Sequence, residues 1–299
     1  GEVTMRGLRS RMTVLVALML SASACAVILG IDDVNVRDAG DSGTDASADG
    51  ARDGSIPDAR TDAKPLKPYL DEVSNDHPIA YWRLDDHNAD AVNASGFDYG
   101  TYGDTITHTD GGGLIFDPQN DVAAIFPGLP DGSLQSQGVS IAKDSTFEDG
   151  GVALTIEVWV EPLAEYADNR IGELVSYGSS ASAPFEAWAL KSVPPHVVLY
   201  TSCCGQVSNK MQLATGSTYH LVATFDHGVQ NIYVNGLPDS DPSSPGSNLL
   251  FDGSTDGLGI GATWAGYNPF NGILDEVAVY DYVLPLVRIQ AHYQAGKKP

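Results

Sequence analysis

Positive charge is scarce in this chain. Sixteen Lys and Arg stand against 39 Asp and Glu, a formal net charge of −23 over 299 residues. Phosphate backbones are held by Lys and Arg neutralisation, so nucleic acid is excluded as a partner. Excess carboxylate suits solubility and divalent cations alike. Cysteine is limited to three positions, Cys25, Cys203 and Cys204. The seven histidines are scattered, and none stands at ligand spacing from another. No G-x-S-x-G nucleophile elbow and no H-E-x-x-H zinc motif occurs, and the chain is expected not to be an enzyme. What it has is glycine and proline, 32 and 17 residues, with abundant Val, Thr and Tyr. That mixture favours many short strands over long helices.

The first 66 residues are a different material from the rest. Arg6, Arg9 and Arg11 precede the apolar run Thr13–Ala24 and then Cys25. A basic region, a short apolar core and small residues before a cleavage point describe an export signal over residues 1–24. Ala22-Ser23-Ala24-Cys25 resembles a bacterial lipobox, with Ala22 where Leu is usual. The resemblance implies lipidation of Cys25, attachment to a membrane through that lipid and, with Ala26 following, an outer-membrane or cell-surface location. An uncleaved anchor over Thr13–Ile31 is the alternative, near the ~20 residues a spanning helix needs; without an anchor the protein would be secreted. Residues 25–66 form a tether rich in Asp, Ala, Gly and Ser. Between Arg37 and Lys64 its only large apolar residue is Ile56, so it cannot bury enough surface to offset its ordering entropy. Asp45–Gly50 starts like an EF-hand loop, but Ile56 falls where a carboxylate ligand is required.

Residues 67–299 read as one domain. Tyr219–Pro238 carries two strands of alternating character, with Gly228 and Gly236 placed to supply the positive φ of hairpin turns. Leu154–Val160 alternates Leu154, Ile156, Val158 and Val160 on one face with Thr155, Glu157 and Trp159 on the other. Further strands are expected near Val122–Phe126, Val139–Ala142, Arg170–Tyr177, Phe185–Leu190, His196–Thr201, Gly257–Ala262 and Phe270–Tyr280. Leu286, Ile289 and Tyr293 stand at helical spacing, which predicts a short helix over Pro285–Gln294 packed on the sandwich rim.

Four of these segments carry a resemblance. His77–Asp86 (HPIAYWRLDD), Leu154–Pro162 (LTIEVWVEP), Tyr219–Gly236 (YHLVATFD…YVNG) and Phe270–Tyr280 (FNGILDEVAVY) resemble, in the same order, the motifs of the laminin-G-like, concanavalin A-like domains. The resemblance implies an all-β fold, an antiparallel jelly-roll β-sandwich with a short C-terminal helix. It also implies a binding module whose ligand is an extracellular carbohydrate, or alternatively a surface protein recognised by an adhesion module with no glycan site. The hydrolases on this sandwich place acids as E-x-D-x-(x)-E on one strand, and that pattern is missing here. Asp275-Glu276 are adjacent and should point to opposite faces.

Candidate sites follow from the loops. Trp264, Tyr267 and Asn268 lie in a Gly-containing loop and could form a stacking platform with polar neighbours for a pyranose; Trp264 could equally cover the end of the core. Trp82, Trp159 and Trp188 fall within strands and are expected in the core. Asp85, Asp86, Asp90 and Asp275 fall in or beside the family motifs and are candidate ligands of a structural calcium, which takes six to eight oxygens; the bland alternative is that Asp85 and Glu276 cap loops or meet solvent. Cys203 and Cys204 can pair only with each other if Cys25 is lipidated, giving a vicinal disulfide in an oxidising compartment. His220, Asp226 and His227 of the hairpin are read as scaffold.

Overall fold

The structure, a computed structural model, describes residues 68–96, 99–117, 122–128, 137–148, 151–163, 170–179, 185–251 and 257–299. The leader, Cys25 and the tether lie outside the described residues. In chain order the elements are α1 (Tyr69–Asn75), β1 (Ala80–Trp82), β2 (Asp90–Ala91), β3 (Gly100–Tyr102), β4 (Thr107–His108), β5 (Ala124–Pro127) and β6 (Val139–Ala142). After a 3-10 turn at Ser145–Glu148 come β7 (Ala153–Pro162), β8 (Gly172–Ser179), β9 (Phe185–Val193), β10 (His196–Thr201) and β11 (Gly205–Ser208). The chain continues with β12 (Tyr219–Asp226), β13 (Val229–Val234), β14 (Leu237–Pro238), β15 (Gly257–Ile260), β16 (Asn271–Tyr280) and α2 (Leu286–Gly296).

The strands form two antiparallel sheets. Sheet A runs β14-β13-β12-β7-β16-β5-β4, with β1 also paired to β16; sheet B runs β11-β10-β9-β8-β15-β6-β3-β2. Sequence neighbours are often spatial strangers: β7 sits between β12 and β16, and β15 between β8 and β6. This is the all-β, antiparallel sandwich with a short C-terminal helix that the motifs imply. The hairpin turns form as their residues require. His227 and Gly228 both take positive φ (47° and 90°), as do Asn235 and Gly236 (52° and 77°), the pattern of two-residue turns that match strand twist. Gly228 is needed twice over, because a Cβ there would stand 2.1 Å from the backbone nitrogen of Gly246.

The main core lies between the sheets and takes Leu154, Ile156, Val158 and Val160 from β7, with Trp82, Phe126, Trp188, Phe225 and Ile260 fully or almost fully buried. A second core lies on the outer face of sheet A. There Tyr69 and Val73 of α1 and Ile289 of α2 cover Trp159, Val222 and Ala278. The terminal helix therefore packs across the face of the sheet and not on its rim, and α1, which no sequence signal announced, packs there too.

Glu276 corrects a second expectation. It neither caps a loop nor meets solvent: it is fully buried, and so is its neighbour Asp275. Strand alternation fails at this point because β16 carries a bulge between Asp275 and Ala278, with Glu276 at φ 53°. Tyr81 donates a hydrogen bond to Glu276 Oε2, and Arg83 Nε lies 3.1 Å from Oε1.

Candidate functional site

The site is built on the outer side of sheet B, where a loop folds down onto two glycines. In β15, Leu258 and Ile260 enter the core, so Gly257 and Gly259 face outward. A Cβ on Gly257 would come 2.7 Å from Trp264 Cδ1, and one on Gly259 would come 2.5 Å from the Trp264 nitrogen. Only glycine lets the 262–264 backbone and the indole lie this close to the strand. The turn is closed by Thr263 N donating to Tyr267 O (2.9 Å) and Gly266 N to Thr263 O (2.8 Å). Tyr267 N donates to Thr263 Oγ1 (2.9 Å), with Thr263 itself buried. Ser140 of β6 donates its hydroxyl to Trp264 O (3.1 Å). Trp264 remains 36% exposed on this rigid base; it covers the outside of the sheet and not the end of the core.

Polar groups that sequence reasoning missed stand beside it. Glu173 N donates to Asn268 O at 2.8 Å, and Asn268 Nδ2 donates to Glu173 Oε1 at 3.1 Å. Lys191, opposite Glu173 in the β8–β9 register, lies 3.3 Å from Glu173 Oε1 and closer still to Glu186 Oε2. Its ammonium also sits 5.0 Å from the centre of the Tyr200 ring. Both glutamates are buried. Lys191 has one charge for two carboxylates, and Glu186 takes the closer contact. Burial, then the Glu186 charge, push the Glu173 carboxyl up to about 8 against the pull of Lys191. The available signal was charged residues inside apolar strands, Glu173 in GELVSY and Glu186 and Lys191 in FEAWALK.

The four acids proposed for calcium do not form one ligand set. Asp85 lies 3.1 Å from Arg83 Nη1, and the same guanidinium reaches Asp117 (2.8 Å) and Glu276. Asp86 accepts from Val92 N at 2.8 Å. Asp275 accepts from Leu114 N at 2.7 Å, and Asp90 is exposed on β2. Among the described residues no three His, Cys, Asp or Glu side chains converge to hold a metal ion. The fixed cation among Asp85, Asp117 and Glu276 is Arg83.

Cys203 and Cys204 form a disulfide between adjacent residues in the β10–β11 turn. Ser202 beside them exchanges hydrogen bonds with Leu250 (3.2 and 3.1 Å), which ties the turn to the segment before β15. His220 has a structural partner: its Nε2 lies 2.7 Å from Glu157 Oε1, both buried. The side chains of Asp226 and His227 meet each other at 2.6 Å, both exposed.

Comparison with known structures places the architecture. A Trypanosoma rangeli sialidase superposes with TM-score 0.53 at 10% identity, over 74% of this chain and 33% of that one. The receptor-binding domain of botulinum neurotoxin type G superposes with TM-score 0.51 at 10% identity, over 73% and 51%. Domain 4 of AbnA, a GH43 extracellular arabinanase from Geobacillus stearothermophilus solved with arabinotriose, gives TM-score 0.46 at 18% identity, over 72% and 97%. This chain thus spans about a third of the sialidase's length. Comparison with curated protein sequences finds no match. A family model described as the concanavalin A-like lectin/glucanases superfamily matches residues 131–290. That stretch runs from before β6 to within α2 and holds most of both sheets, and the chain belongs to this laminin-G-like family of the concanavalin A-like superfamily.

Proposed function

We propose that the folded domain is a carbohydrate-binding module whose ligand rests on the outer side of sheet B at Trp264. The observation that carries this reading is the partly exposed indole on its glycine base, with Asn268 and Tyr267 in the same closed turn. An apolar platform beside a few fixed polar groups is the usual composition of a site for a sugar ring. The base is preformed, so binding needs little ordering of the loop.

The reading is of binding without catalysis. Two carboxylates on one face suggest glycoside chemistry, but Glu173 and Glu186 are buried and held on Lys191, not presented to a substrate. Affinity electrophoresis of the full chain through gels containing neutral polysaccharides tests the site. Trp264→Ala should lose at least tenfold in affinity, about 1.4 kcal/mol, with an unchanged melting temperature. Equal retention of the variant and the wild type on every polysaccharide that retards either would remove this reading. Release of reducing ends from the same polysaccharides, abolished by Glu173→Gln, would replace it with a hydrolase.

A further inference from the structure

The segment Thr109–Asp117, which leaves β4, is held from several sides. Leu114 N donates to the buried Asp275 carboxylate at 2.7 Å. Phe116 N donates to Gly296 O, the last residue of α2, at 2.8 Å. Lys298 Nζ donates to Gly113 O at 2.6 Å, and Asp117 meets Arg83 at 2.8 Å. Leu114 and Ile115 are buried in the second core. A segment fixed this firmly has its apolar residues placed, yet Phe116 remains 52% exposed.

The exposed ring borders a cleft of about 730 Å³ that also takes His87, Asp110, Gly111, Asp117 and Lys298 into its wall. That volume falls within the roughly 300–1,000 Å³ of small-molecule sites. Two wall glycines differ. Gly112 has φ 112°, which excludes ordinary side chains. Gly111 has no such φ, and a Cβ there would meet nothing within 4 Å.

The charges are mostly spent. Asp117 faces Arg83 and Lys298 is hydrogen-bonded to the loop, so Asp110 is the wall carboxylate with no hydrogen bond or ion pair among the described residues. His87 faces the His108 ring, 5.4 Å between centroids. A free carboxylate, an imidazole and an aromatic face accept hydroxyls and an apolar ring face. The Asp110 carboxylate repels anions, as does the net charge of −23. We propose that this cleft is a second ligand site, for a neutral saccharide, built independently of the Trp264 loop.

The test is titration of the isotopically labelled full chain with neutral gluco-, xylo-, manno-, galacto- and arabino-oligosaccharides, and with oligogalacturonate as the acidic control, following backbone amides by NMR. The Gly111, Gly112 and Phe116 amides should shift and saturate with at least one neutral oligosaccharide and stay still with the acidic one. Gly111→Trp should weaken that response at least tenfold while the melting temperature holds. Phe116→Ala should do the same, and it decides the matter if the bulky variant fails to fold. Three results overturn the proposal: no shift of these amides at about 10 mM of any neutral sugar, well above a millimolar dissociation constant; shifts confined to the 263–268 loop; or wild-type binding by the variant that folds. Saturable shifts with oligogalacturonate overturn the ligand class.

Discussion

Glu173 shows how a single residue takes its character from its neighbours. Its chemistry depends on Asn268, 95 positions away, and on Lys191 and Glu186 of the adjoining strand. With its carboxyl pushed up to about 8 by burial and then by Glu186, the folded protein holds a proton that the unfolded chain has already released. Stability from this site therefore falls as pH rises from the ordinary glutamate range through about 8, by at most about 1.4 kcal/mol per pH unit. Glu173→Gln should flatten that slope in urea denaturation between pH 5 and pH 9. An unchanged slope would show that Glu173 is ionised in the fold. Trp264 was legible in sequence because an aromatic within a glycine-containing turn is a local signal. Glu173 was not, because nothing within its own strand says that a lysine and an amide will arrive beside it.

At the scale of elements, the two helices are locked onto sheet A by one buried carboxylate. Glu157 accepts from Tyr69 of α1 (2.8 Å), Tyr280 of β16 (2.9 Å) and His292 of α2 (3.0 Å), besides its contact with His220. Burial works against its charge, but His292 and His220 outweigh it and hold its pKa well below the usual range. His292 also loses by burial, yet Glu157 and then Asp76 keep it above the usual imidazole range. Its far nitrogen lies 2.8 Å from Asp76, which Arg288 also grips at 2.7 Å. The stabilisation from His292 is complete below the ordinary imidazole pKa and is lost as pH rises through its raised value.

Glu157→Gln should cost about 3 kcal/mol, the scale of a broken buried ion pair, and speed amide exchange in α1 and α2 ahead of β7 and β12. Uniform acceleration across the domain would mean the helices do not open as a separate unit. The alternation of β7 identified the strand and both of its faces. It could not show that the polar face is roofed, because the roof comes from α1 and α2, more than eighty residues before and after. The bulge at Asp275–Glu276 was hidden for a related reason, since alternation assumes the ladder that the bulge breaks.

For the whole molecule, four motifs in order were enough to specify a two-sheet sandwich, because period-2 patterning and turn glycines are local facts that survive any connectivity. Which strand neighbours which is not local, and the sequence left that to the resemblance. Residues 1–66 remain a proposal of export and lipid attachment. Cys25→Ala should abolish labelling by a palmitate analogue in a bacterial host, and equal labelling of the variant would end the lipoprotein reading.

The pairing of α1 with α2 bears on presentation. Tyr69 and Gly296 are so close that a Cβ on the glycine would stand 2.9 Å from the tyrosine ring. The backbone thus enters the sandwich and leaves it at one place, on the side of sheet A that faces away from sheet B. The Trp264 loop is on the opposite side. The indole is left looking outward on the far side of the sandwich from both helices, like a palm held away from the wrist.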